Sequence, residues 1–436
     1  MDLSRDDRYI AQVYARDPLV ITGAEGIYLY DQKGKQYIDC SAHYSSCCLG
    51  HRNPRLNRAV ADQLDRLVSV SAQFATRERM DLAEKLLRGT GGNFHQVLFG
   101  CTGSDAVEFA LKAAKLARSG GNMISFWRGF HGSTAASAGA TGKAETIQRS
   151  PAVASLIPPG FLHLSYPYCY RCDYRKRYPS CDLFCVDYIR TAVRHSGWDH
   201  PAAVILEPVQ ASGGVIVPPE GFFLRLRELC SELGALLLFD EVVTGIGRTG
   251  RDFAYQHWQV VPDILILGKA LTGGYIPGSA VLLSRETAAA LEGITLHGHT
   301  HSAYPLMCAA AGEVLKVLEE DELSRHSGEI GAYLIRRFQE LFKRCSFIGD
   351  VRGLGLLIGL EIVGDREKHL PDYSRALRLY RGLREAGVIV ELESSEVLSS
   401  SVLVLHPPLV MTFDQAAELA DRCDDVFARE LHDVCT

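Results

Sequence analysis

FDEVVTGIGRTG occupies residues 239–250, and its first residue, Phe239, is the last residue of the apolar run Ala235–Phe239. Its glycines, at positions 245, 247 and 250, match the G-x-G-x-x-G spacing of a dinucleotide-binding turn, which a helix must follow. The next residues are RDFAYQHWQVVPD, which show no long helical repeat and contain a proline at position 262. The pattern therefore favours loop turns at the glycines, and it directs attention to Asp240 and Glu241, the two acids that precede them.

Composition bounds the class of protein. The chain has 436 residues, 47% of them hydrophobic, and a formal net charge of −6. These values are typical of a soluble globular protein with two or three domains, and the acidic balance argues against a nucleic-acid partner. No apolar run is long enough to cross a membrane. The polar start MDLSRDDRYI differs from a secretory signal, so we expect a cytoplasmic protein.

Short apolar runs alternate with helical patterns between about residues 54 and 310. Because each run is almost continuously apolar, it is predicted to be a strand buried on both faces, which is typical of a mostly parallel α/β sheet. The predicted strands are Gln96–Phe99, Met123–Phe126, Ala203–Leu206, Ala235–Phe239, Ile264–Leu267 and Ser279–Leu283.

The two ends of the chain have a different texture. GIYLYD and QYIDCSA flank a turn at Gln32–Lys35, which predicts a hairpin. After residue 310 come long helical runs, one glycine-kinked strand (VRGLGLLIGLEIV), another strand-like run (GVIVELE) and a helix from Thr412. We expect a large domain at residues 56–310, and a smaller α+β domain built from residues 1–55 and 311–436. A Cys-rich insert at about 160–190 is expected on the surface.

Polar residues follow several of the predicted strands. In an open α/β sheet, ligands bind at the carboxyl ends of the strands. Gly103-Ser104 opens a helix there, which presents free N–H groups to an anion, although Ser104 as a plain helix cap is the alternative. Glu207, Asp240 and Lys269 follow further strands. Burial lowers the pKa of a lysine and makes its amine nucleophilic.

This set fits pyridoxal phosphate (PLP). PLP needs a lysine for its Schiff base, a carboxylate facing its pyridine nitrogen and an anion site for its phosphate. Lys269, Asp240 and the helix start at Gly103-Ser104 supply the three. Each charge alone could be an ordinary strand end at the surface, but the ordered set predicts a PLP enzyme.

The sequence resembles the class III aminotransferases, a branch of the fold type I PLP enzymes, over nearly its whole length. The resemblance implies an α/β fold with a large PLP-binding domain, a smaller domain and aminotransferase activity. It is carried by LGHRNPRL (49–56), GSDAVEFALKAAK (103–115), FHGST (130–134), EPVQASGG (207–214), FDEVVTGIGRTG (239–250), GKALTGGYIPGSAV (268–281), THSAYPLMCAAA (300–311) and VRGLGLLIGLEI (351–362).

The resemblance also implies roles around the ring of the cofactor. Lys269 forms the Schiff base and moves the proton, and Asp240 pairs with the pyridinium nitrogen with Glu207 beside it. Val242 and Phe130 pack on the two faces of the ring, for which ordinary core packing is the alternative from the residues alone.

The phosphate is implied to bind Gly103, Ser104 and Thr300. In this family the threonine comes from the neighbouring subunit, so the resemblance implies a homodimer with shared sites.

Several positions depart from the family pattern. Val404 stands where members acting on α-amino acids carry an arginine for the substrate carboxylate, Val243 where many carry glutamine, and Ser212 where aminobutyrate-type members carry glutamate. Tyr304 replaces a common asparagine. These departures favour an amine or an unusual amino acid as substrate.

Other residues are candidates for the substrate pocket. Arg128 could hold an anionic group, and His43 and Tyr44 lie beside the glycine–histidine loop. Relatives on this scaffold also perform elimination from amino-phosphonates or amino-phosphates, epimerisation and decarboxylation, so a lyase, epimerase or decarboxylase is the alternative function.

Two metal patterns were weighed, and no metal is expected. Cys169, Cys172, Cys181 and Cys185 have the spacing of a zinc knuckle, which leaves a zinc-binding protein open as a different class. The HGHTHS segment (297–302) places three histidines in alternation, although the Thr300 match gives this loop another role.

Overall fold

The computed structural model describes residues 8–11, 17–143, 155–198 and 200–433. Three β-sheets organise this part of the chain. None of its helices is long and apolar enough to span a membrane.

The first sheet begins as an antiparallel meander near the amino end. The predicted hairpin is confirmed, with its turn between the second and third strands. These strands are β1 (Ile21–Glu25), β2 (Tyr28–Asp31) and β3 (Gln36–Asp39).

The central sheet has seven strands, and every strand predicted from the sequence is present with small shifts at its ends. They are β4 (Gln96–Gly100), β5 (Asn122–Phe126), β6 (Phe161–Leu164), β7 (Pro201–Leu206), β8 (Leu236–Asp240), β9 (Ile264–Leu267) and β10 (Ser279–Leu283). Their order is β4-β10-β9-β8-β7-β5-β6. Within this sheet β10 alone runs opposite to the other six strands, so the mostly parallel α/β sheet is confirmed.

Both faces of the central sheet are buried. Leu237 and Phe239 of β8 face one apolar cluster, while Leu236 and Leu238 face another, because successive side chains of a strand point to opposite sides. Each strand must therefore be apolar throughout, which explains its continuous runs.

Helices pack around these strands. They are α1 (Pro54–Leu64), α2 (Arg77–Gly89), α3 (Gly103–Ala117), α4 (Ala135–Ala140), α5 (Phe184–Ser196), α6 (Phe222–Glu232), α7 (Arg285–Ala290), α8 (Pro305–Glu320), α9 (Leu323–Arg344), α10 (Tyr373–Glu385) and α11 (Phe413–Asp433).

The third sheet lies in the carboxyl-terminal part, where one prediction is wrong. VRGLGLLIGLEIV is not one kinked strand but an antiparallel hairpin that turns at Gly355. Gly355 has φ +54°, and a Cβ there would lie 2.4 Å from the carbonyl carbon of Thr249, so only glycine fits. The strands of this sheet are β11 (Ile348–Leu354), β12 (Leu357–Asp365), β13 (Leu370–Pro371), β15 (Glu391–Ser395) and β16 (Ser400–Leu405), and the short strand β14 (Val388–Ile389) belongs to the first sheet.

The two ends of the chain meet in the first sheet. β14 pairs parallel with β3, with Val388 opposite Ile38. This pairing is in keeping with a smaller domain built from both termini, whose limits stay a prediction.

The Cys-rich insert is only partly at the surface, which corrects the expectation for it. Its first residues form β6, which pairs with β5. Tyr166 and Tyr168 are buried, and the Tyr168 hydroxyl donates a hydrogen bond to Glu361 Oε2 (2.6 Å). Large aromatic side chains with a hydroxyl partner are stable in the interior, so this segment packs inward.

The glycine-rich stretch after β8 is a loop, as predicted, and Gly250 is followed by the short 3₁₀ turn Ala254–His257 and then by β9, with no α-helix between them in this described part of the chain. Gly247 has φ +84°, and a Cβ there would lie 2.7 Å from Leu318. The buried Arg248 donates from Nη1 to the carbonyls of Leu356 (3.0 Å) and Pro407 (2.5 Å). The glycines let this loop lie against the carboxyl-terminal part of the chain, and the hydrogen bonds of Arg248 hold the two together.

Candidate active site

Five strand ends meet at one edge of the central sheet. β4, β5, β7, β8 and β9 run in the same direction, so the residues that follow them emerge together. These are Gly103-Ser104, Phe130, Glu207, Asp240 and Lys269. The sheet thus brings together the residues that sequence reasoning selected.

Asp240 ends β8 with its carboxylate buried and already oriented. Oδ2 lies 2.7 Å from His131 Nδ1, and Oδ1 accepts a hydrogen bond from the backbone N–H of Val242 (3.1 Å). Asp240 is 3% exposed, so its charge needs these partners. His131 was not assigned a role from the sequence, although it directly follows Phe130.

Glu207 fixes the loop that carries Phe130. Its Oε1 accepts from the N–H of Phe130 (2.9 Å) and its Oε2 from the N–H of Ala211 (3.1 Å). Burial raises the pKa of Glu207 to about 7, and the nearby Asp240 carboxylate adds to the shift. The hydrogen bond from the Phe130 N–H to Glu207 therefore fixes the position of Phe130.

Glu241, the second acid of the opening stretch, points elsewhere. Its carboxylate accepts hydrogen bonds from the N–H groups of Ala254 (2.5 Å) and Tyr255 (2.8 Å), and burial raises its pKa to about 8. It anchors the short 3₁₀ turn Ala254–His257. Of the two adjacent acids, only Asp240 lies at the strand-end site.

Lys269 begins a 3₁₀ turn directly after β9 and Gly268. Its φ of +45° lies in the left-handed region, a strained backbone that is often found at functional sites. Its side chain forms no hydrogen bond with any residue that the structure describes. Burial lowers the pKa of the Lys269 amine, while the carboxylates of Glu391, Glu207 and Asp240 oppose that shift.

The start of α3 forms the anion cradle. Thr102, and not Ser104, caps this helix, because its side chain accepts from the N–H of Asp105 (3.1 Å). The capping alternative for Ser104 is therefore wrong. Ser104 Oγ instead accepts from the N–H of Ser133 (3.2 Å), which leaves its hydroxyl proton free to donate. The first N–H groups of a helix have no partner within the helix and suit an anion.

Val242 packs against this cradle. A Cβ at Gly103 would lie 3.0 Å from Val242 Cγ1, so the glycine allows the close approach. A buried carboxylate, a helix start with free amides and an amine that has no hydrogen-bond partner among the described residues are together the donor set that PLP requires. The residues present therefore fit this cofactor.

Two of the four departures from the family pattern, Val404 and Val243, meet in one apolar cluster. Val404 on β16 is 2% exposed and packs with Val209, Ala211 and Val215, and Val243 lies against the same cluster. Ser212 follows Ala211 and is half-buried. The positions of the family's arginine and glutamine thus form an apolar wall.

Two acids near Lys269 were missed from the sequence. Glu391 on β15 has Oε2 3.0 Å from His406 Nε2, and its Oε1 accepts from the Ser41 hydroxyl (2.9 Å). Glu393 lies two residues along the strand and pairs with Lys143. The alternation in GVIVELE was a possible signal, because residues i and i+2 share one face of a strand.

Tyr44 and Arg128, the candidate substrate residues, occupy different surroundings. Tyr44 is exposed in the turn Ala42–Ser45, whose residues all have positive φ. Arg128 is buried, donates from Nη2 to the Leu398 carbonyl (2.5 Å) and stacks over Tyr168 (5.3 Å to the ring centre). Its guanidinium is thus directed at the insert and at the β15–β16 turn.

Thr300 is exposed, in the segment between α7 and α8. Its side chain is therefore available to another subunit.

The cysteines of the insert line one small cavity together, of about 20 Å³. Burial raises the pKa of Cys169 to about 11 and that of Cys185 to about 12. Within the described ranges, no three of the four sulfurs lie within 4.8 Å of one another.

The histidines of HGHTHS are separated by the fold. His297 and His299 lie with Asp105 so that one ligand atom of each falls within 4.8 Å of the others, whereas His301 packs edge-to-face against Tyr304. Lys112 Nζ lies 3.0 Å from His297 Nδ1. A charged lysine can only donate there, which puts the imidazole proton on Nε2, facing Asp105.

A parallel α/β sheet with this lysine, carboxylate and anion cradle at its carboxyl edge defines a PLP-dependent enzyme. Its family follows from comparison with known proteins. The sequence model of the family described as aminotransferase class-III matches residues 9–427, and the chain belongs to that family.

Curated relatives agree with this assignment. An acetylornithine aminotransferase of Methanothermobacter thermautotrophicus is 33% identical over 95% of this chain and 95% of its own. A leucine/methionine racemase of Thermococcus litoralis is 32% identical over 94% of this chain and 91% of its own.

A solved structure is similar throughout. An amine transaminase from an uncultivated Pseudomonas species, in its PLP-bound form, superposes with a TM-score of 0.89 at 33% identity, covering 97% of this chain and 98% of that one. The fold type I, aminotransferase and PLP predictions are thereby confirmed, and aminotransferase is favoured over lyase.

Proposed function

We propose that this aminotransferase uses Lys269 and Asp240 as its catalytic residues, and that its amino donor is an amine or an unusual amino acid. The observation that carries the substrate part is the apolar wall at Val404 and Val243. A carboxylate brought against this wall would lose its hydration without gaining an ion pair, which is costly.

Bound PLP supplies an electron sink that stabilises negative charge on the carbon bearing the amino group. Asp240 would hold a proton on the pyridine nitrogen, and His131 would fix the orientation of that carboxylate. The Lys269 amine, with its lowered pKa, would accept and return the migrating proton.

The remaining residues would position the cofactor. Gly103 and Ser104 would bind the phosphate with backbone amides and a hydroxyl, as the geometry of a helix start favours. Val242 and Phe130 would contact the ring, with Phe130 fixed through Glu207.

Charge around Lys269 supports the same class of donor. Glu391 and Glu393 are both close enough to raise the pKa of the Lys269 amine. Glu393 is ion-paired with Lys143, so Glu391 is the carboxylate expected to attract the ammonium group of an incoming amine and to repel a carboxylate. Ser212 and Tyr44 would line the pocket on the substrate side.

We also propose a homodimer in which Thr300 binds the phosphate of the neighbouring subunit. Its exposed position is what such a contact requires. A cytoplasmic location stays a prediction.

Lys269→Ala tests the catalytic assignment. Borohydride reduction of the holoenzyme, followed by peptide mass spectrometry, should find the cofactor covalently linked to the peptide that contains Lys269. Lys269→Ala should lose both this link and transamination, with Lys316→Ala, a half-exposed lysine on α8, as the control. A cofactor linked to another lysine would refute the assignment.

Product analysis tests the reaction. Transamination requires a keto acceptor, whereas racemisation does not. The racemase relative makes racemisation the second candidate. Loss of optical activity from a chiral amino acid without any acceptor would favour that candidate.

A further inference from the structure

A strongly basic cavity lies outside the strand-end site, between the Cys-rich insert and the carboxyl-terminal sheet. Its volume is about 620 Å³. Its cationic lining consists of Arg128, Arg171, Arg175, Lys176, Arg177 and Lys368, and we name it the basic cavity.

Part of this positive charge is already neutralised. Arg171 pairs with Glu361 (2.7 Å) and Lys368 with Asp365 (3.4 Å). Among the described residues that line the cavity, Asp173 is the only acid.

The remaining cations are not balanced. Among the residues that the structure describes, Arg175, Lys176 and Arg177 form no ion pair, and Lys176 lies over the ring of Phe184 (4.6 Å). The chain as a whole has a net charge of −6, so this excess of positive charge is local. Clustered like charges raise each other's free energy unless an anion lies between them.

Arg128 adds a further positive charge to the wall of the cavity. It is 8% exposed and lines the cavity, and its Nη2 donates to the Leu398 carbonyl. Its Nη1 is buried without a partner among the described residues. A buried guanidinium without a full set of acceptors or a carboxylate partner keeps its charge unbalanced, so Arg128 adds to the positive potential of the cavity.

We propose that the basic cavity binds a small polyanion carrying phosphate or carboxylate groups. Arginine matches both groups through paired N–H donors, and the cavity has the size of a typical small-molecule site. Trp127 and His369 contribute aromatic surface to its walls.

The basic cavity differs from the proposed catalytic site. Lys269, Asp240 and Ser104 are absent from its lining, so the inference does not depend on their roles. Arg128 nevertheless precedes Phe130 by two residues, and Leu398 lies in the turn between β15 and β16. An anion bound here contacts segments that lead directly into the proposed catalytic site.

The test is isothermal titration calorimetry on the PLP-saturated enzyme at low salt, so that the cofactor's own phosphate cradle is occupied. Pyrophosphate and citrate serve as separate probes and distinguish phosphate from carboxylate. Saturable binding of either is expected, and R175Q/R177Q should weaken it by roughly tenfold or more.

The matched control is R194Q/R251Q, which removes two exposed arginines outside the cavity. It should leave the dissociation constant unchanged, and melting temperatures of both double variants verify folding. R128Q should also weaken binding. Absence of binding by both probes, or equal affinity of R175Q/R177Q and wild type, would overturn the proposal.

Discussion

Replacing Val404 with arginine tests the substrate argument most directly. Val404 on β16 lies directly opposite Glu391 on β15, and such cross-strand neighbours share one face of the sheet. The substitution restores the family's residue and places a guanidinium on the same face as Glu391. It should therefore create a grip for a substrate carboxylate where the protein now has a valine.

The size of the effect follows from these surroundings. A hydrogen bond to a charged group contributes about 1.5–3 kcal/mol, which is roughly 10- to 150-fold in kcat/KM. Pairing of the new arginine with Glu391 competes with the substrate, so we expect a gain near tenfold. Stability should fall, because a charge at a position that is 2% exposed is only partly compensated by one acid.

The assay compares two donors, a primary amine and the α-amino acid with the same side chain, with one keto acceptor. The quantity measured is the ratio of their kcat/KM values, acid over amine, in wild type, V404R and V404M. V404M enlarges the side chain without adding charge. Bound PLP, followed by absorbance, shows whether each variant remains folded.

Two results would refute the reasoning. One is a wild-type enzyme that already prefers the amino acid over the amine. The other is an unchanged ratio in a folded, PLP-containing V404R, since the arginine would then not reach the substrate.

Two further predictions concern Glu241 and Thr300. Burial raises the folded-state pKa of Glu241 from an ordinary 4.5 to about 8, so its contribution to stability is complete below pH ~4.5 and is lost as the pH rises towards 8. Wild type should therefore lose stability relative to E241Q, by up to about 1.4 kcal/mol per pH unit between pH 5 and 8, and calorimetric scans with parallel pH profiles would contradict this. If Thr300 serves the neighbouring subunit, a purified dimer of one K269A and one T300A subunit contains one intact site of two and should show about half of wild-type activity. If Thr300 serves its own subunit, the same dimer has no intact site, so activity no higher than half that of the T300A dimer would contradict the prediction.

The candidate site was predictable from the sequence where its residues lie directly after recognisable strands. Asp240, Lys269 and Gly103 each follow an apolar run, and parallel strands bring such ends together whatever the details of packing. His131 and Glu391 were missed because their significance lies in contacts across the fold, with Asp240 and with the surroundings of Lys269.

The fold, likewise, was predictable where it depends on local sequence and was not predictable where it depends on contacts between distant segments. The buried strands were recognisable from their continuous apolar runs. The hairpin at Gly355 and the burial of Tyr166 were not, because the first depends on a close approach to Thr249 and the second on pairing of β6 with β5. Neither contact can be inferred from the periodicity of apolar residues along the chain.

The uncharged residues at positions 404 and 212 are best explained together. An arginine at 404 would be buried, and a buried guanidinium requires an acid to balance it. At Ser212, where aminobutyrate-type members carry glutamate, that acid is absent, and Ala211 beside it packs on Val404. Lys269, Asp240 and the phosphate cradle match the family pattern, so we expect the missing charges to affect recognition of the donor and to leave the chemistry in place. We therefore expect a pocket specialised for a different donor, which the ratio of kcat/KM values in V404R measures.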